Sequence, residues 1–228
     1  MNKQGNTYTF LYSIVLVVIV AALLSIVSLS LQPRQNENRQ NEKRQNILSA
    51  IHVASTADNS AELFGKYIKE QFIINAQGEK VEGKAFEVSI DKEYKQPAGK
   101  RLLPVFVADV DGATKYILPI YGAGLWGPIW GYISLNEDKT TVFGTFFDHQ
   151  GETPGLGAEI TTEKFNKQFQ DKVIFTGNEL TGIQVIKGGN ATGKSQVDAI
   201  SGGTITSRGV ETLIKNYLSN YEPFLKQR

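Results

Sequence analysis

Residues 104–121 read PVFVADVDGATKYILPIY, and they indicate a β-sheet in the region that follows the N-terminal segment. Two runs rich in β-branched and aromatic residues, 104–110 and 113–121, are separated only by Asp111 and Gly112. Both of these residues tolerate the positive φ angles of a tight two-residue turn. The pattern therefore predicts a β-hairpin.

A second pair of β-rich runs, 129–135 and 141–148, flanks the turn-rich residues 136–139, which read NEDK. Residues 180–186 have the composition of a further strand, and residues 162–170 have that of a short helix. Because neighbouring strands are joined by short turns, we expect mostly antiparallel pairing. The sheet texture begins at about Phe72, after helical spacing at residues 47–51 and 62–68.

The closing helix has the clearest pattern. Its apolar residues fall at offsets 0, 3, 4, 7, 8 and 11, which places them on one face of a helix. They are Val210, Leu213, Ile214, Tyr217, Leu218 and Tyr221. We expect this helix to begin near Ser207 and to stop at Pro223.

The N-terminal segment predicts a membrane anchor. The 22 residues 10–31 carry no charge, and as a helix at ~1.5 Å per residue they would cross a hydrocarbon core of about 30 Å. A cleaved signal peptide normally has a shorter apolar region, of about 7 to 15 residues, after a basic stretch, and only Lys3 precedes this segment. We expect a tail at 1–9, a transmembrane helix at 10–31, a polar linker or helical stalk at 32–46 and a folded domain at 47–228. The predicted fold class is α+β: a single N-terminal transmembrane helix, then a mainly antiparallel sheet with flanking helices.

Composition excludes several classes of function. The 24 Lys and Arg residues balance 23 Asp and Glu residues, which argues against a nucleic-acid binder. There are no cysteines, so the chain forms no disulfide and no cysteine-ligated metal site. His52 and His149, the two histidines, are nearly a hundred residues apart. We therefore expect no metal site and no catalytic residue of the Cys–His type.

Residues 188–195, GGNATGKS, match the phosphate-loop pattern G-x-x-x-x-G-K-[ST]. That loop must open a helix of several turns whose N-terminus holds the phosphates. Here Gly202 and Gly203 interrupt the chain seven residues after Ser195, and the hairpin-rich sequence offers no parallel sheet. We expect a Gly-rich surface turn with an exposed Lys194, not a nucleotide hydrolase.

Residues 198–207 read DAISGGTITS and lie at the start of the closing helix. Two glycines, several hydroxyl groups and unpaired helix N–H groups can form an anion site. A plain helix cap is the alternative interpretation, since Ser and Thr are preferred at that position. Composition and spacing leave both interpretations open.

The same stretch resembles a flavinylation motif. Asp198, Ser201, Gly202, Gly203 and Thr204 are similar to the pattern D-x-x-[ST]-G-A-T of the covalent FMN-binding domain family, to which the membrane-anchored, FMN-carrying subunit of sodium-translocating NADH:quinone oxidoreductases belongs. In that family the last threonine is esterified by the phosphate of FMN, which would make Thr204 the acceptor. Gly203 departs from the usual alanine, an exchange that keeps the site small.

Two further blocks, residues 122–131 and 151–159, resemble parts of the same family in the same order. Small residues in these blocks let the backbone approach a flat ring, while Leu156 and Trp126 offer apolar contacts. Glu152 and Thr153 are expected to hydrogen-bond the polar edge of the flavin. The expected flavin-binding residues are Trp126, Glu152, Thr153, Leu156, Gly157, Asp198, Ser201, Gly202, Gly203, Thr204, Thr206 and Ser207, whereas Trp130 is expected in the core.

The resemblance implies an electron-transfer subunit that is redox-active only within a sodium-pumping NADH:quinone reductase. NAD, ubiquinone or menaquinone and sodium ions would be used through other membrane subunits. A separate flavin transferase, with FAD as donor and magnesium as its metal, would attach the FMN. The FMN-carrying subunit of the related Rnf-type electron transport complex and a non-redox membrane-tethered module are the alternatives.

The resemblance also implies a single-pass protein of the bacterial inner membrane with a periplasmic FMN domain. The flanking charges disagree. One basic residue precedes the anchor and four follow it closely, namely Arg34, Arg39, Lys43 and Arg44, and this places the domain in the cytoplasm by the positive-inside tendency. The charge signal is softened because long domains translocate largely regardless of flanking charge. We follow the resemblance, because five motifs in the family's order outweigh a four-to-one count of basic residues.

Overall fold

The structure is a computed structural model that describes residues 5–227. Residues 1–4 of the expected tail, including Lys3, and the C-terminal Arg228 lie outside the described residues. The chain divides into two compact units, one that ends at Lys43 and one that begins at Arg44.

The N-terminal unit is part of helix α1, Asn6–Ser49. Residues 6–9, assigned to the tail, are already helical, and the polar residues 32–46 are helical as well, with Pro33 inside the helix. Within residues 5–227, α1 is the one helix long and apolar enough to cross a membrane. Its apolar side chains are uncovered, with Phe10 72% and Leu24 66% exposed. This helix fits a single-pass membrane anchor.

The second unit is built around a six-stranded sheet in the order β2-β1-β3-β4-β5-β6, in which every neighbouring pair is antiparallel. The strands are β1 Ile68–Ile74, β2 Lys80–Val81, β3 Leu103–Val110, β4 Ala113–Ala123, β5 Pro128–Leu135 and β6 Val142–His149. Asp111 and Gly112, with φ angles of 53° and 81°, form the predicted turn between β3 and β4. The α+β class with an antiparallel sheet is thus confirmed.

Shorter elements complete the unit. They are β7 Phe175–Thr176 and β8 Glu179–Leu180, which pair antiparallel, β9 Gln184–Ile186 and β10 Gln196–Asp198, which pair parallel, and the helices α2 Ser60–Tyr67, α3 Ile90–Tyr94, α4 Glu163–Asn166, α5 Thr204–Leu218 and α6 Glu222–Leu225. Five 3₁₀ turns lie between them, at Ala85–Glu87, Ala98–Lys100, Gly157–Thr161, Lys167–Phe169 and Ser219–Tyr221.

Several predicted boundaries were wrong. The expected strand at 180–186 is two strands separated by Gly182, whose φ is 70°, and the sheet begins at Ile68 instead of Phe72. The small β9–β10 pair is parallel, whereas the six-stranded sheet is antiparallel throughout, so the pairing is mostly antiparallel as expected. The helix expected at 162–170 is divided between α4 and a 3₁₀ turn.

The closing helix α5 begins at Thr204, three residues earlier than predicted, and Pro223 lies within the first turn of α6. Its predicted apolar stripe is confirmed, because all six members are at most 2% exposed. They pack with sheet residues such as Leu118 and Ile133 in one core. Burial of each large member stabilises the fold by about 1.5–3 kcal/mol. A second core lies on the opposite face of the sheet, where Ile47 and Leu48 pack with Phe106 and Ile117.

Two buried tyrosines, Tyr217 near the end of α5 and Tyr221 in the 3₁₀ turn that follows it, differ in their hydrogen bonding. The Tyr221 hydroxyl lies 3.0 Å from the carbonyl oxygen of Pro104 and 3.4 Å from that of Pro119. The Tyr217 hydroxyl is buried and has no hydrogen-bond partner within the described part of the chain. Burial raises the pKa of both phenols, so both stay protonated at neutral pH.

We therefore predict that Tyr221→Phe lowers the free energy of unfolding by about 1–2 kcal/mol, because buried carbonyl groups lose their donor. The matched change Tyr217→Phe should be neutral or stabilising, since it removes a hydroxyl that is already unpaired. Denaturant unfolding of the full chain in detergent measures both. Equal losses in the two variants would contradict this assignment.

Candidate functional site

Three segments meet around a cavity of about 440 Å³. One is the loop between β4 and β5, another is the loop that follows β6, and the third is the start of α5. The cavity is lined by Leu125, Trp126, Glu152, Thr153, Leu156, Gly157, Gly202, Gly203, Thr204, Ile205 and Thr206. Its size is within the range of small-molecule and cofactor sites.

The start of α5 presents free donors to this cavity. The N-cap residue is Gly203, so no side chain caps the helix, and Gly202 has a φ of 74° that suits glycine. Among residues 5–227, the backbone N–H groups of residues 204–206 have no partner, as expected for a first helical turn. The Thr204 side chain is partly exposed and likewise makes no hydrogen bond within the described chain. This geometry favours an anion site over a plain cap.

The side chain of Ser207 stabilises the turn that precedes α5 by hydrogen bonds to its backbone. Its buried hydroxyl donates to the Gly203 carbonyl oxygen at 2.8 Å and accepts from the Ile200 N–H at 3.0 Å. Ser207 does not line the cavity, and neither do Ser201, which is exposed, or Asp198. The Asp198 carboxylate instead accepts from the backbone N–H of Ala191 at 2.8 Å. Three residues of the expected site therefore lie outside the cavity lining.

Glu152 is the one buried carboxylate of the cavity lining, only 4% exposed. One of its oxygens accepts from the backbone N–H of Trp126 at 2.8 Å, and the other accepts from the Thr206 hydroxyl at 2.5 Å. Its own N–H lies 3.2 Å from Nδ1 of His149. The carboxylate thus joins all three segments of the site.

Glycines permit this close packing. A Cβ atom at Gly157 would overlap the Thr206 hydroxyl oxygen and lie 2.5 Å from a Glu152 oxygen, and one at Gly124 would lie 2.5 Å from the other Glu152 oxygen. At Gly203, a Cβ atom would meet the Leu156 carbonyl oxygen at 2.8 Å. The missing methyl group at Gly203 thus matches a close approach of the Leu156 backbone.

The cavity has an exposed apolar rim. Trp126 is 70% exposed, Ile205 62%, Leu125 47% and Leu156 42%. Sequence reasoning missed Leu125 and Ile205. A signal existed for Ile205, since it is an apolar residue of α5 that lies outside the buried stripe.

Other sequence expectations have clear outcomes. Residues 188–195 connect β9 to β10, so the loop precedes a strand and not a helix, and Lys194 is exposed. The expected Gly-rich surface turn with an exposed Lys194 is confirmed. Trp130, expected in the core, is half-buried on β5 and belongs to neither core within the described chain. No group of three or more potential metal ligands occurs among residues 5–227.

We predict that Gly157→Ala destabilises the protein by roughly 1–3 kcal/mol, because the added methyl group overlaps the Glu152–Thr206 contact. The matched control is Gly151→Ala in the same loop, where an added Cβ meets nothing within 4 Å. This control should change the free energy of unfolding by less than about 0.5 kcal/mol. Denaturant unfolding measures the stability of both variants. Equal free energies of unfolding would contradict tight packing of Gly157 against Glu152 and Thr206.

Comparisons with known proteins agree with this geometry. The FMN-binding domain family matches residues 124–219, which include the cavity lining. The NqrC subunit of the Na(+)-translocating NADH-quinone reductase from Haemophilus ducreyi is 31% identical, over 98% of this chain and 95% of that protein. The corresponding subunit from Vibrio vulnificus is 30% identical, over 89% and 88% of the two chains.

Crystal structures of two such proteins have the same fold. The reductase subunit from Parabacteroides distasonis superposes with a TM-score of 0.82 and 46% sequence identity, and the match covers 87% of this chain and 98% of that one. Shewanella oneidensis NqrC superposes with a TM-score of 0.73 and 25% identity, over 83% and 97% of the two chains. The similarity therefore extends over both the cavity and the sheet that supports it. The chain belongs to the NqrC family of Na(+)-translocating NADH-quinone reductase subunits and carries its FMN-binding domain.

Proposed function

We propose that this chain is an electron-transfer subunit that carries FMN as a phosphoester on Thr204. The observation that carries the proposal is the position of the Thr204 side chain, which lines the cavity at the first residue of α5 and has no hydrogen-bond partner among the described residues. A hydroxyl group held by other side chains would be less available for modification.

The residues of the cavity fit the two parts of FMN. The free N–H groups of residues 204–206 and the positive end of the helix dipole suit a phosphate. Trp126 and Leu156 supply apolar surface for a ring, and Thr153 supplies an exposed hydroxyl at its border. When bound, the flavin supplies reversible uptake and release of electrons. The protein fixes its position and its surroundings.

Attachment of the flavin requires a separate enzyme. A threonine hydroxyl is a poor nucleophile without an activating base, and no side chain of the described chain hydrogen-bonds Thr204. A flavin transferase with FAD as donor and magnesium as its metal would supply that base. The Thr204 oxygen would form a bond to the FMN phosphorus as the pyrophosphate bond of FAD breaks, AMP leaves and the hydroxyl proton passes to the transferase.

Within its complex, the chain would act between other redox centres. One sodium ion that crosses against 100 mV requires about 2.3 kcal/mol. Electron transfer through the complex would have to supply this energy. A covalently held flavin cannot dissociate between transfers. NADH, the quinone and sodium ions would be handled by other membrane subunits.

The relatives support this assignment over the flavin subunit of an Rnf-type complex. The Haemophilus and Vibrio proteins are both named as subunits of the sodium-translocating reductase, and the first is matched over nearly its whole length. A non-redox tethered module is the other alternative. It would have the same fold with an unmodified Thr204.

We predict that Thr204→Val abolishes covalent flavin while the fold is retained, because Val keeps the shape of Thr but lacks the hydroxyl. The full chain is coexpressed with a flavin transferase, and fluorescence of its band is measured in a denaturing gel. The matched control is Thr212→Val, an exposed threonine later in α5, which should keep wild-type fluorescence. A fluorescent Thr204→Val band would exclude Thr204 as the acceptor.

The proposed location is the bacterial inner membrane, with the FMN domain in the periplasm. We predict that alkaline phosphatase fused to the C-terminus is active, because the fusion partner would follow the domain across the membrane. A green fluorescent protein fused at the same place should be dark. The reverse pair of results would place the domain in the cytoplasm, as the basic residues after the anchor indicate.

A further inference from the structure

The buried carboxylate of Glu152 makes no ion pair with any residue that the structure describes. A charge out of water is costly unless hydrogen bonds or a counter-charge compensate it. Within the described chain, the donors to its oxygens are neutral groups, the Trp126 N–H and the Thr206 hydroxyl. An apolar residue or an amide could fill the same space at lower electrostatic cost.

The position of the Glu152 carboxylate offsets part of the cost of burying it. Thr206 is the third residue of α5, so Glu152 lies at the positive end of the helix dipole, where an anion is favoured. Gly124 and Gly157 leave room for its two oxygens, since a Cβ atom at either position would overlap one of them. Residues from two separate loops therefore accommodate this single group.

We propose that Glu152 is a positioning residue of the flavin site that also holds a negative charge beside the flavin and lowers its midpoint potential. The inference rests on the proposed function, because it requires FMN in this cavity. Glu152 acts through its neighbours, since both oxygens already accept hydrogen bonds from the protein. This differs from the expectation that Glu152 binds the polar edge of the ring.

Two physical effects follow from this arrangement. The hydrogen bonds hold the Trp126 loop and the start of α5 at a fixed separation, which sets the width of the cavity. The charge disfavours the addition of electrons to a nearby flavin, because like charges repel more strongly in a partly buried site than in water. Loss of the Glu152 charge should therefore change the midpoint potential, and loss of a Glu152 hydrogen bond should change the geometry of the cavity.

The test uses the full chain, coexpressed with a flavin transferase and purified in detergent. Glu152→Gln keeps the size of the side chain and one acceptor for the Trp126 N–H, but removes the charge. We expect wild-type flavin mass, a visible circular dichroism spectrum close to that of wild type and a midpoint potential that is shifted to a more positive value. Glu159→Gln, a change of a half-buried carboxylate that does not line the cavity, is the control and should keep the wild-type potential.

Thr206→Val tests the hydrogen bond between Thr206 and Glu152 without changing the charge of Glu152. It removes the hydroxyl donor and leaves the carboxylate, so the visible circular dichroism of the flavin should weaken as the start of α5 loosens. Thermal unfolding of each variant is recorded alongside.

A Glu152→Gln potential equal to that of Glu159→Gln would overturn the electrostatic part of the inference. If Glu152→Gln does not fold, Thr206→Val decides, and an unchanged dichroism spectrum in that variant would overturn the positioning role. Absence of flavin mass from the wild-type chain would instead refute the proposed function. The two failures are thus distinguishable.

Discussion

The packing of α5 across one face of the sheet is the constraint on which the rest of the domain depends. Its buried stripe, from Val210 to Tyr221, fixes the helix against β4 and β5, and this fixes where the helix begins. Because Thr204 is the first residue of α5, the position of its hydroxyl, the proposed FMN acceptor, follows from packing that lies several turns away. The loops after β4 and β6 then meet the start of the helix at one cavity.

The same architecture suits an electron carrier. The cavity is apolar and partly open, with Trp126 and Ile205 exposed on its rim, so a bound ring would remain accessible to redox partners. The proposed covalent link and the membrane anchor would both limit the space that such a carrier can explore, which would raise its effective concentration near fixed partners. Glu152 adds a buried carboxylate at the point where the site's segments join. The geometry and the electrostatics of the cavity therefore depend on the same few residues.

Local chemistry explains which features could be predicted from sequence. The Asp111-Gly112 turn and the stripe of α5 depend on neighbouring residues, and both were predicted correctly. The start of α5 was placed too late, because Ser, Thr and Gly favour caps and turns and only the contacts of Ser207 show where the helix begins. The break at Gly182 reflects its close approach to Lys215, and the roles of Glu152, Leu125 and Ile205 depend on contacts between distant segments. Such long-range contacts have no signature in a single sequence.

Mass spectrometry of the proteolytic peptide that contains Thr204 tests the central claim most directly. The chain should be purified from cells that contain the flavin transferase. We expect this peptide to be heavier by FMN less one water and fragmentation to assign the added mass to the Thr204 side chain. An unmodified peptide, or flavin attached at another residue, would contradict it.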